Sequence, residues 1–243
     1  MKHQPPLVSV IIPVKNGARF IEEALTSVNA AVANVDHEII VVNDGSTDDT
    51  EKILRRLPGQ IRYFFQKNEG AASARNAGIK KARGEYIAFI DADDVWTKDH
   101  FTDLYNTLRD NPSAQIAMGY SQRYESTNEM IADQIPIHRH KKYGDPAFMP
   151  TFGCALFMSH QFNTVGIINP SYRLHEDVDW YLQALESDVS IAVTKNVVTC
   201  YRLHDTNTTR DIRFTDRGLL HVLARSLHRR NNKALPKLSK GTV

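Results

Sequence analysis

The sequence predicts an α/β fold in which a mainly parallel central sheet is flanked by helices, with a Rossmann-like first half and a less regular second half. The first observation is that short β-branched runs alternate with helical patterns, as expected when crossover helices join parallel strands. The second is composition, because 42% of the 243 residues are hydrophobic and 24% are charged. These values are typical of a globular protein that buries a sizeable core.

Strands and helices alternate along the first half of the chain. Residues 7–14 (LVSVIIPV) are a β-branched run bounded by Pro6 and Asn16, as expected of a buried strand. A helix should follow, because apolar residues then recur at helical spacing, at Phe20, Ile21, Ala24, Leu25 and Val28. The same alternation predicts strands at 38–42, 61–65 and 86–90 and helices at 48–57 and 71–83.

The second half has weaker patterns. Apolar stretches at 114–120 and 155–158 are separated by polar segments without a clear period. A helix at 176–186 is indicated by four apolar residues that should form its buried stripe, namely Val178, Tyr181, Leu182 and Leu185. A pair of strands is expected after it, at 190–193 and 197–201.

Composition and motifs exclude several classes of protein. The 30 basic and 28 acidic residues are too balanced for a nucleic-acid-binding protein, so no such partner is expected. No G-x-G-x-x-G follows the first strand and no P-loop motif occurs. The chain lacks a long uncharged apolar stretch and a signal-peptide core, so a cytoplasmic location is expected. Cys154 and Cys200 are expected to be reduced, buried residues.

Two acidic turns follow predicted strands at one edge of the sheet. Asp44, in NDGSTD, ends the second strand, where its carboxylate could accept hydrogen bonds from a base N–H or ribose hydroxyls. Asp91 and Asp93, in DADD, follow the last strand of the first half and suit Mg²⁺ or Mn²⁺ bridging to a diphosphate. The structural alternatives are that residues 46–49 start a helix and that DADD caps a helix near Thr97.

The helix predicted at 71–83 has a flank of small residues that would let it approach the sheet closely, namely Ala71, Ala72, Ala74, Ala77 and Gly78. Arg75 would then stand near the crevice. The alternatives are a solvated helix charge for Arg75 and simple helix propensity for the alanines.

The motifs IIPVKN, NDGSTDDT, NEGAASARNAGIKKARGEYIAFIDADD and HEDVDW resemble those of the family 2 glycosyltransferases of the GT-A fold. The resemblance is specific from residue 7 to about residue 96, returns around Glu176 and His204, and is faint at 111–170. It implies an inverting transfer of sugar from a nucleoside-diphosphate sugar, expected to be UDP-linked, to a hydroxyl acceptor. A divalent cation, Mn or Mg, and a role in cell-surface polysaccharide or glycoconjugate synthesis are implied as well.

The same resemblance implies roles for individual residues. The donor-binding residues would be Pro13, Asp44, Asn68, Arg75, Asp91 and Ala92. Asp93 and His204 would bind the metal, and Glu176 would contact the acceptor, which is a saccharide, a lipid-linked group or another hydroxyl compound. For His204 the alternative is an ordinary surface or core histidine.

Asp177 is implied as the catalytic base. Its place in the first turn of a helix should favour the ionised form, although acids are common there without any catalytic role. An ordinary aspartate with a pKa of about 4 is a weak base for an alcohol, so proton removal should accompany formation of the new C–O bond.

Two other functions stay open at this point. The segment YIAFIDADDV also fits a phosphatase of the haloacid dehalogenase type, in which Asp91 would be the nucleophile, although 85 residues precede this segment. A catalytically silent nucleotide-sugar-binding protein is the other alternative. Intact Asp93 and Asp177 argue against it.

The resemblance and the charge pattern together predict a GT-A domain over 1–210, with a donor half at about 1–110 and an acceptor half at about 111–210, and a basic amphipathic tail over 211–243. From Arg202 onward there are ten Lys or Arg and three Asp. In the tail, Arg217, His221 and Arg225 share one helical face and a second face carries four leucines, Leu219, Leu220, Leu223 and Leu227.

The leucine face has two alternative partners. It is expected to dock on the catalytic body, and the alternative is a peripheral contact with an anionic membrane that presents a lipid-linked acceptor. Five basic residues favour the second, namely Arg229, Arg230, Lys233, Lys237 and Lys240. The sequence leaves the oligomeric state open.

Overall fold

The computed structural model describes residues 7–57, 59, 61–125, 145–205, 207 and 212–234, with side chains of the last helix described over 218–232. The predicted alternation is confirmed in the first half. Its elements are β1 (Val8–Val14), α1 (Ile21–Ala31), β2 (His37–Asp44), α2 (Thr50–Leu54), β3 (Ile61–Gln66), α3 (Ala71–Lys81) and β4 (Tyr86–Phe89). α2 begins later than predicted, because Asp48 lies in the preceding turn and accepts a hydrogen bond from the Thr50 N–H (3.0 Å).

The second half contains more regular structure than its sequence pattern suggests. Its elements are β5 (Val95–Trp96), α4 (His100–Asp110), β6 (Ile116–Glu125), β7 (Ala147–Phe148), β8 (Ala155–Met158), α5 (Gln161–Thr164), α6 (Glu176–Glu186), β9 (Ile191–Leu203) and α7 (Ile212–Ala234). Part of the expected acceptor half, 126–144, lies outside the described residues, as do Lys237 and Lys240 of the tail.

One long strand replaces the strand pair expected at 190–193 and 197–201, so that prediction was wrong. β9 runs for 13 residues parallel to β6. Met118 of β6 pairs with Val193, whereas Tyr120 pairs with Val197, so residues 194–196 bulge outward opposite Gly119. Because of this bulge, the polar residues 194–196 stay within a single strand, which pairs with β6 on both sides of them.

The nine described strands form one sheet in the order β3-β2-β1-β4-β8-β6-β9-β5, and β7 pairs with β6. β1 to β4 are mutually parallel, β8 is antiparallel to β4 and β6, and β9 is parallel to β6. The mainly parallel α/β fold is therefore confirmed. As a consequence, β1, β2, β4 and β9 all end at the same edge of the sheet.

The DADD turn connects distant parts of this sheet. The chain leaves β4 at Ile90 and enters β5, where Val95 pairs with Cys200 of β9. β5 is therefore separated from β4 by three strands in the sheet order. This crossing places residues 91–94 against the end of β9.

Helices cover both faces of the sheet. Apolar residues of α1, α2 and α4 pack on one face, and those of α3 and α6 pack on the other. All seven residues of β1 are buried, because both of its faces are covered. The two cysteines are buried and not disulfide-bonded, and burial raises the pKa of the Cys154 thiol to about 11 and that of Cys200 to about 12.

The buried stripe of α6 differs from the expected one. Trp180, Tyr181 and Ala184 are buried, whereas Leu185 is 51% exposed. Trp180 packs among the aromatic rings of the core that lies between the sheet and the helices α3 and α6. Its indole N–H donates to the Gly166 carbonyl (2.9 Å). The expected stripe was wrong in part because the aromatic core determines which side of α6 turns inward.

Within the part of the chain that the structure describes, no helix combines the length and the apolar character needed to cross a bilayer.

Candidate active site

Acidic and basic groups from four elements meet at the edge where the parallel strands end. Asp44 is the last residue of β2, Asp91 follows β4, and His204 follows β9 directly. Glu176 and Asp177 begin α6. The edge therefore joins residues from both halves of the chain.

Arg75 links the two halves. Its Nη2 donates to Asp91 Oδ1 (2.5 Å) and its Nη1 donates to Glu176 Oε1 (2.7 Å), across 101 positions of sequence. The guanidinium also lies 5.5 Å from the ring centroid of Phe152. Because Arg75 is buried, the alternative of a solvated helix charge was wrong.

Small residues allow α3 to bring Arg75 to this position. A Cβ on Gly78 would lie 2.4 Å from Ile11 Cγ2 of β1, so a larger residue there would force the helix away from the sheet. Ala72 and Ala74 are buried against the same face. The expected close approach of this helix is confirmed.

Asp177 has a perturbed carboxyl group. Burial raises its pKa to about 7, and the negative charge of Glu176 adds to the effect. The Val178 N–H, which donates to Asp177 Oδ1 (2.8 Å), and the charge of Arg75 act in the opposite direction. The expectation that the helix N-terminus would favour the ionised form was wrong in its net result, because desolvation outweighs the helix dipole here.

Asp93 and His204 are in direct contact, although 111 positions separate them. His204 Nε2 lies 2.9 Å from Asp93 Oδ2, and the imidazole packs on the ring of Phe20 at 4.7 Å between centroids. The neighbouring Asp94 is buried, and burial together with the charges of Asp93 and Asp91 raises its pKa well above the ordinary value. The turn therefore concentrates negative charge.

This donor set fits a divalent cation in part. Among the described residues, no three His, Cys, Asp or Glu side chains converge closely enough to hold an ion by themselves. Cations such as Mg²⁺ often take only one or two protein ligands and complete their coordination with phosphate oxygens and water. Asp93 and His204 therefore fit a cation that is bound together with a diphosphate.

Sequence reasoning missed Arg202, which supports the DADD turn. Its Nε donates to the Asp93 carbonyl (2.7 Å), its Nη2 donates to Glu23 Oε2 (2.6 Å), and its backbone N–H donates to Asp94 Oδ1 (3.0 Å). The buried guanidinium lies 4.9 Å from the ring centroids of Phe20 and Tyr124. The available signal was an arginine next to the last residue of the strand, two residues before His204.

Asp44 holds the loop that follows β3. Oδ1 accepts hydrogen bonds from Gln66 Nε2 (2.8 Å) and the Glu69 N–H (2.6 Å), and Oδ2 accepts one from the Gly70 N–H (2.9 Å). A carboxylate offers about four lone-pair sites, so capacity remains for one more donor. Asn68 lies in the same loop, and its Oδ1 accepts a hydrogen bond from Lys15 Nζ (2.6 Å).

The remaining candidates lie beside these groups. Pro13 is buried in β1 opposite Val42, one residue before the end of the strand. Ala92 is buried within the DADD turn. The turn lies close to the loop after β1, because a Cβ added to Gly17 in that loop would be 3.5 Å from the Cβ of Ala92. All ten candidate residues thus lie at or near one edge, while their binding roles stay predictions.

Comparison with known proteins gives a family match over most of the chain. Residues 9–165 match the profile of the family described as "Glycosyl transferase family 2". An "Uncharacterized glycosyltransferase RT0329" of Rickettsia typhi is 34% identical over 214 residues, which cover 84% of this chain and 66% of the relative. TuaG of Bacillus subtilis, whose name places it in teichuronic acid biosynthesis, is 31% identical over 213 residues, 84% of this chain and 81% of TuaG.

Solved structures share the fold. The mannosyltransferase PcManGT from Pyrobaculum calidifontis, in complex with GDP-Man and Mn²⁺, has a TM-score of 0.69 at 18% identity, covering 93% of this chain and 65% of that one. S. aureus TarS 1–349 in complex with UDP-GlcNAc has a TM-score of 0.64 at 17% identity, covering 84% and 60%. The GT-A type of fold is thereby confirmed. The chain spans slightly less than two thirds of the length of several of these proteins.

Proposed function

The chain belongs to glycosyl transferase family 2, and from this premise we propose that it is an inverting transferase which moves a sugar from a nucleoside-diphosphate sugar to a hydroxyl acceptor. The observation that carries the proposal is the position of Asp177. Its half-buried carboxyl group lies at the same sheet edge as the DADD turn and next to Glu176, which Arg75 connects to Asp91.

Asp177 would act as the general base. As the acceptor oxygen bonds to the anomeric carbon, its proton passes to the Asp177 carboxylate, and the bond from that carbon to the diphosphate breaks. A single displacement of this kind inverts the configuration. With a pKa of about 7, the carboxylate is a stronger base than an ordinary aspartate and is still substantially ionised at neutral pH.

The donor would bind along the ends of β1, β2 and β4. Pro13, Asp44 and Asn68 would surround the base, and Arg75, Asp91 and Ala92 would lie toward the ribose and diphosphate. The proposal of a nucleotide-sugar donor is supported by PcManGT and TarS, which were solved with GDP-Man and UDP-GlcNAc. We retain UDP as the expected nucleotide.

A divalent cation, Mn²⁺ or Mg²⁺, would be held by Asp93 and His204 together with the diphosphate of the donor. When bound, it would offset the negative charge that develops on the departing diphosphate. PcManGT was solved with Mn²⁺, which supports this assignment. Arg202 would keep the Asp93 backbone in place from the opposite side.

The acceptor would enter beside α6, where Glu176 would contact it. The name of TuaG supports a role in cell-surface polysaccharide synthesis, with a saccharide, a lipid-linked group or another hydroxyl compound as acceptor.

We place the transferase domain at 1–210, with donor and acceptor halves that divide near residue 110, and expect it to work in the cytoplasm. Family membership removes the phosphatase alternative, and a silent binding protein would not need a base at Asp177.

A panel of UDP-, GDP- and other nucleotide sugars, screened for thermal stabilisation with Mn²⁺, tests the donor, because a ligand of the folded state raises the Tm. Release of nucleoside diphosphate in the presence of hydroxyl acceptors then tests transfer. Asp177→Asn should bind the donor and lose turnover, whereas Asp188→Asn, at an exposed position after α6, should behave like the parent. Stabilisation by none of the nucleotide sugars would refute the proposal, and normal turnover in Asp177→Asn would remove the base from this position.

A further inference from the structure

The last helix packs on α6 through a narrow polar stripe. Gly218, Val222, Ser226 and Arg229 recur on one face of α7, and Val222 and Ser226 are buried. Arg229 Nε donates to Glu186 Oε2 (2.6 Å), and its Nη1 donates to Asp179 Oδ1 (3.1 Å). The helix is therefore anchored to the element that carries Glu176 and Asp177.

The leucines of α7 are not part of this anchor. The exposed fractions are 38% for Leu219, 67% for Leu220, 43% for Leu223 and 61% for Leu227. The expectation that this leucine face docks on the catalytic body was therefore wrong. The reason is that the anchoring residues lie on a different side of the helix from the leucines.

The charge of α7 is one-sided. Residues 218–232 contain three arginines and no acidic residue. Arg229 is paired with the acids of α6, Arg230 also lies 3.7 Å from a Glu186 oxygen, and Arg225 lies over the ring of Tyr172. Arg225 and Arg230 are nevertheless exposed. In sequence, Lys233, Lys237 and Lys240 extend the basic run. A second copy of this helix would bring like charges together, whereas an anionic surface would complement them.

We propose that the leucine face of α7 (Leu219, Leu220, Leu223 and Leu227) inserts into the interface of an anionic lipid membrane, with Arg230 beside it at the headgroups. Exposed leucines flanked by basic residues, on a helix with no acids over 218–232, have the chemistry of an interfacial amphipathic helix. Several basic groups near an anionic leaflet attract it additively.

The position of α7 gives this contact a consequence for catalysis. Gly218 lies against His175, which directly precedes Glu176, because a Cβ on Gly218 would come within 2.9 Å of His175 Cδ2. The leucine face thus starts beside the α6 terminus that carries the proposed base. A membrane held there would present a lipid-linked acceptor to Asp177, and this last step rests on the proposed function.

Vesicle flotation with the whole chain tests the contact. Vesicles of phosphatidylglycerol and phosphatidylcholine in equal parts are compared with pure phosphatidylcholine, at about 25 mM and about 500 mM NaCl. We expect binding to the anionic vesicles at low salt and at least about 10-fold weaker binding at high salt or without the anionic lipid. The double variant Leu220→Gln, Leu227→Gln should bind at least about 10-fold more weakly than the parent.

Val193→Gln is the matched control, because Val193 is 51% exposed on β9, away from α7. It should bind like the parent, and the melting temperature of each variant reports that it is folded. If the double variant melts early, Arg230→Gln provides a second test, with several-fold weaker binding expected.

Three results would overturn the inference: no binding of the whole chain to anionic vesicles, unchanged binding of the leucine variant, or a dimer in light scattering that the leucine variant dissociates. Thermal stabilisation by nucleotide sugars with Mn²⁺ is measured without vesicles. Loss of vesicle binding with retained donor binding therefore refutes only the membrane contact, and the reverse pattern refutes only the proposed function.

Discussion

Replacing Asp177 with asparagine should make the protein more stable at pH 8 and leave its stability unchanged at pH 4. Burial raises the pKa of this carboxyl group from 3.8 to about 7. The folded state therefore holds the proton more tightly than the unfolded chain does. As the pH rises from about 4 to about 7, the unfolded chain ionises first, so the carboxyl group progressively lowers the stability of the folded state.

The size of this effect follows from the two pKa values. Each pKa unit corresponds to about 1.4 kcal/mol, so a rise from 3.8 to about 7 costs the folded state at most about 4 kcal/mol above pH 7. An asparagine carries no charge and avoids this cost. Urea unfolding of the parent and of Asp177→Asn between pH 4 and pH 8 measures the difference directly.

The same carboxyl group should set the pH dependence of transfer. As a base it must be ionised, so kcat/KM of the parent should rise with pH and level off above about 7. Asp177→Asn should lose about 10²- to 10⁴-fold in turnover at the plateau. Asp188→Asn is the control for both measurements. A variant no more stable than the parent at pH 8, together with a flat pH profile from 5.5 to 8, would refute the raised pKa of Asp177.

Three further substitutions test the donor side of the site. Asp93→Asn should weaken Mn²⁺-dependent binding of a nucleoside diphosphate in calorimetry, and unchanged affinity would remove Asp93 from the metal assignment. Asp44→Ala should raise the KM for the donor more than it lowers kcat, because the base is remote from the reacting carbon; a fall in kcat alone would contradict this. Arg202→Lys should lower the free energy of unfolding by about 3 kcal/mol. A lysine ammonium cannot replace the guanidinium, which lies between the rings of Phe20 and Tyr124 and donates to the Asp93 carbonyl and the Glu23 carboxylate. Arg123→Lys, at an exposed site, is the control.

The alternation of strands and helices in the first half was predictable from the sequence because it depends on local periodicity. β1, β2 and β4 are buried runs of neighbouring residues, and the turns after them contain the acids. Parallel strands end at one edge, so the sequence alone was sufficient to place Asp44 and Asp91 at the same edge of the sheet. The family motifs added Asp177, the proposed base, and His204 from the second half.

The bulge in β9 shows where local reasoning fails. Residues 194–196 look like a turn, yet pairing with β6 on both sides keeps them within one strand. The inward face of α6 was likewise decided by the aromatic core around Trp180, and the outward leucines of α7 by the pairing of Arg229 with Asp179 and Glu186. Local periodicity contains no information about such partners.

The sequence by itself therefore determined the order of the elements in the first half, the family and the residue types at the strand ends. Only the tertiary structure decided which of these residues meet and in what charge state. Arg75 reaches Glu176 across 101 positions, and His204 reaches Asp93 across 111. The pKa of Asp177 depends on burial and on charges supplied by several elements, and these exist only once the chain has folded.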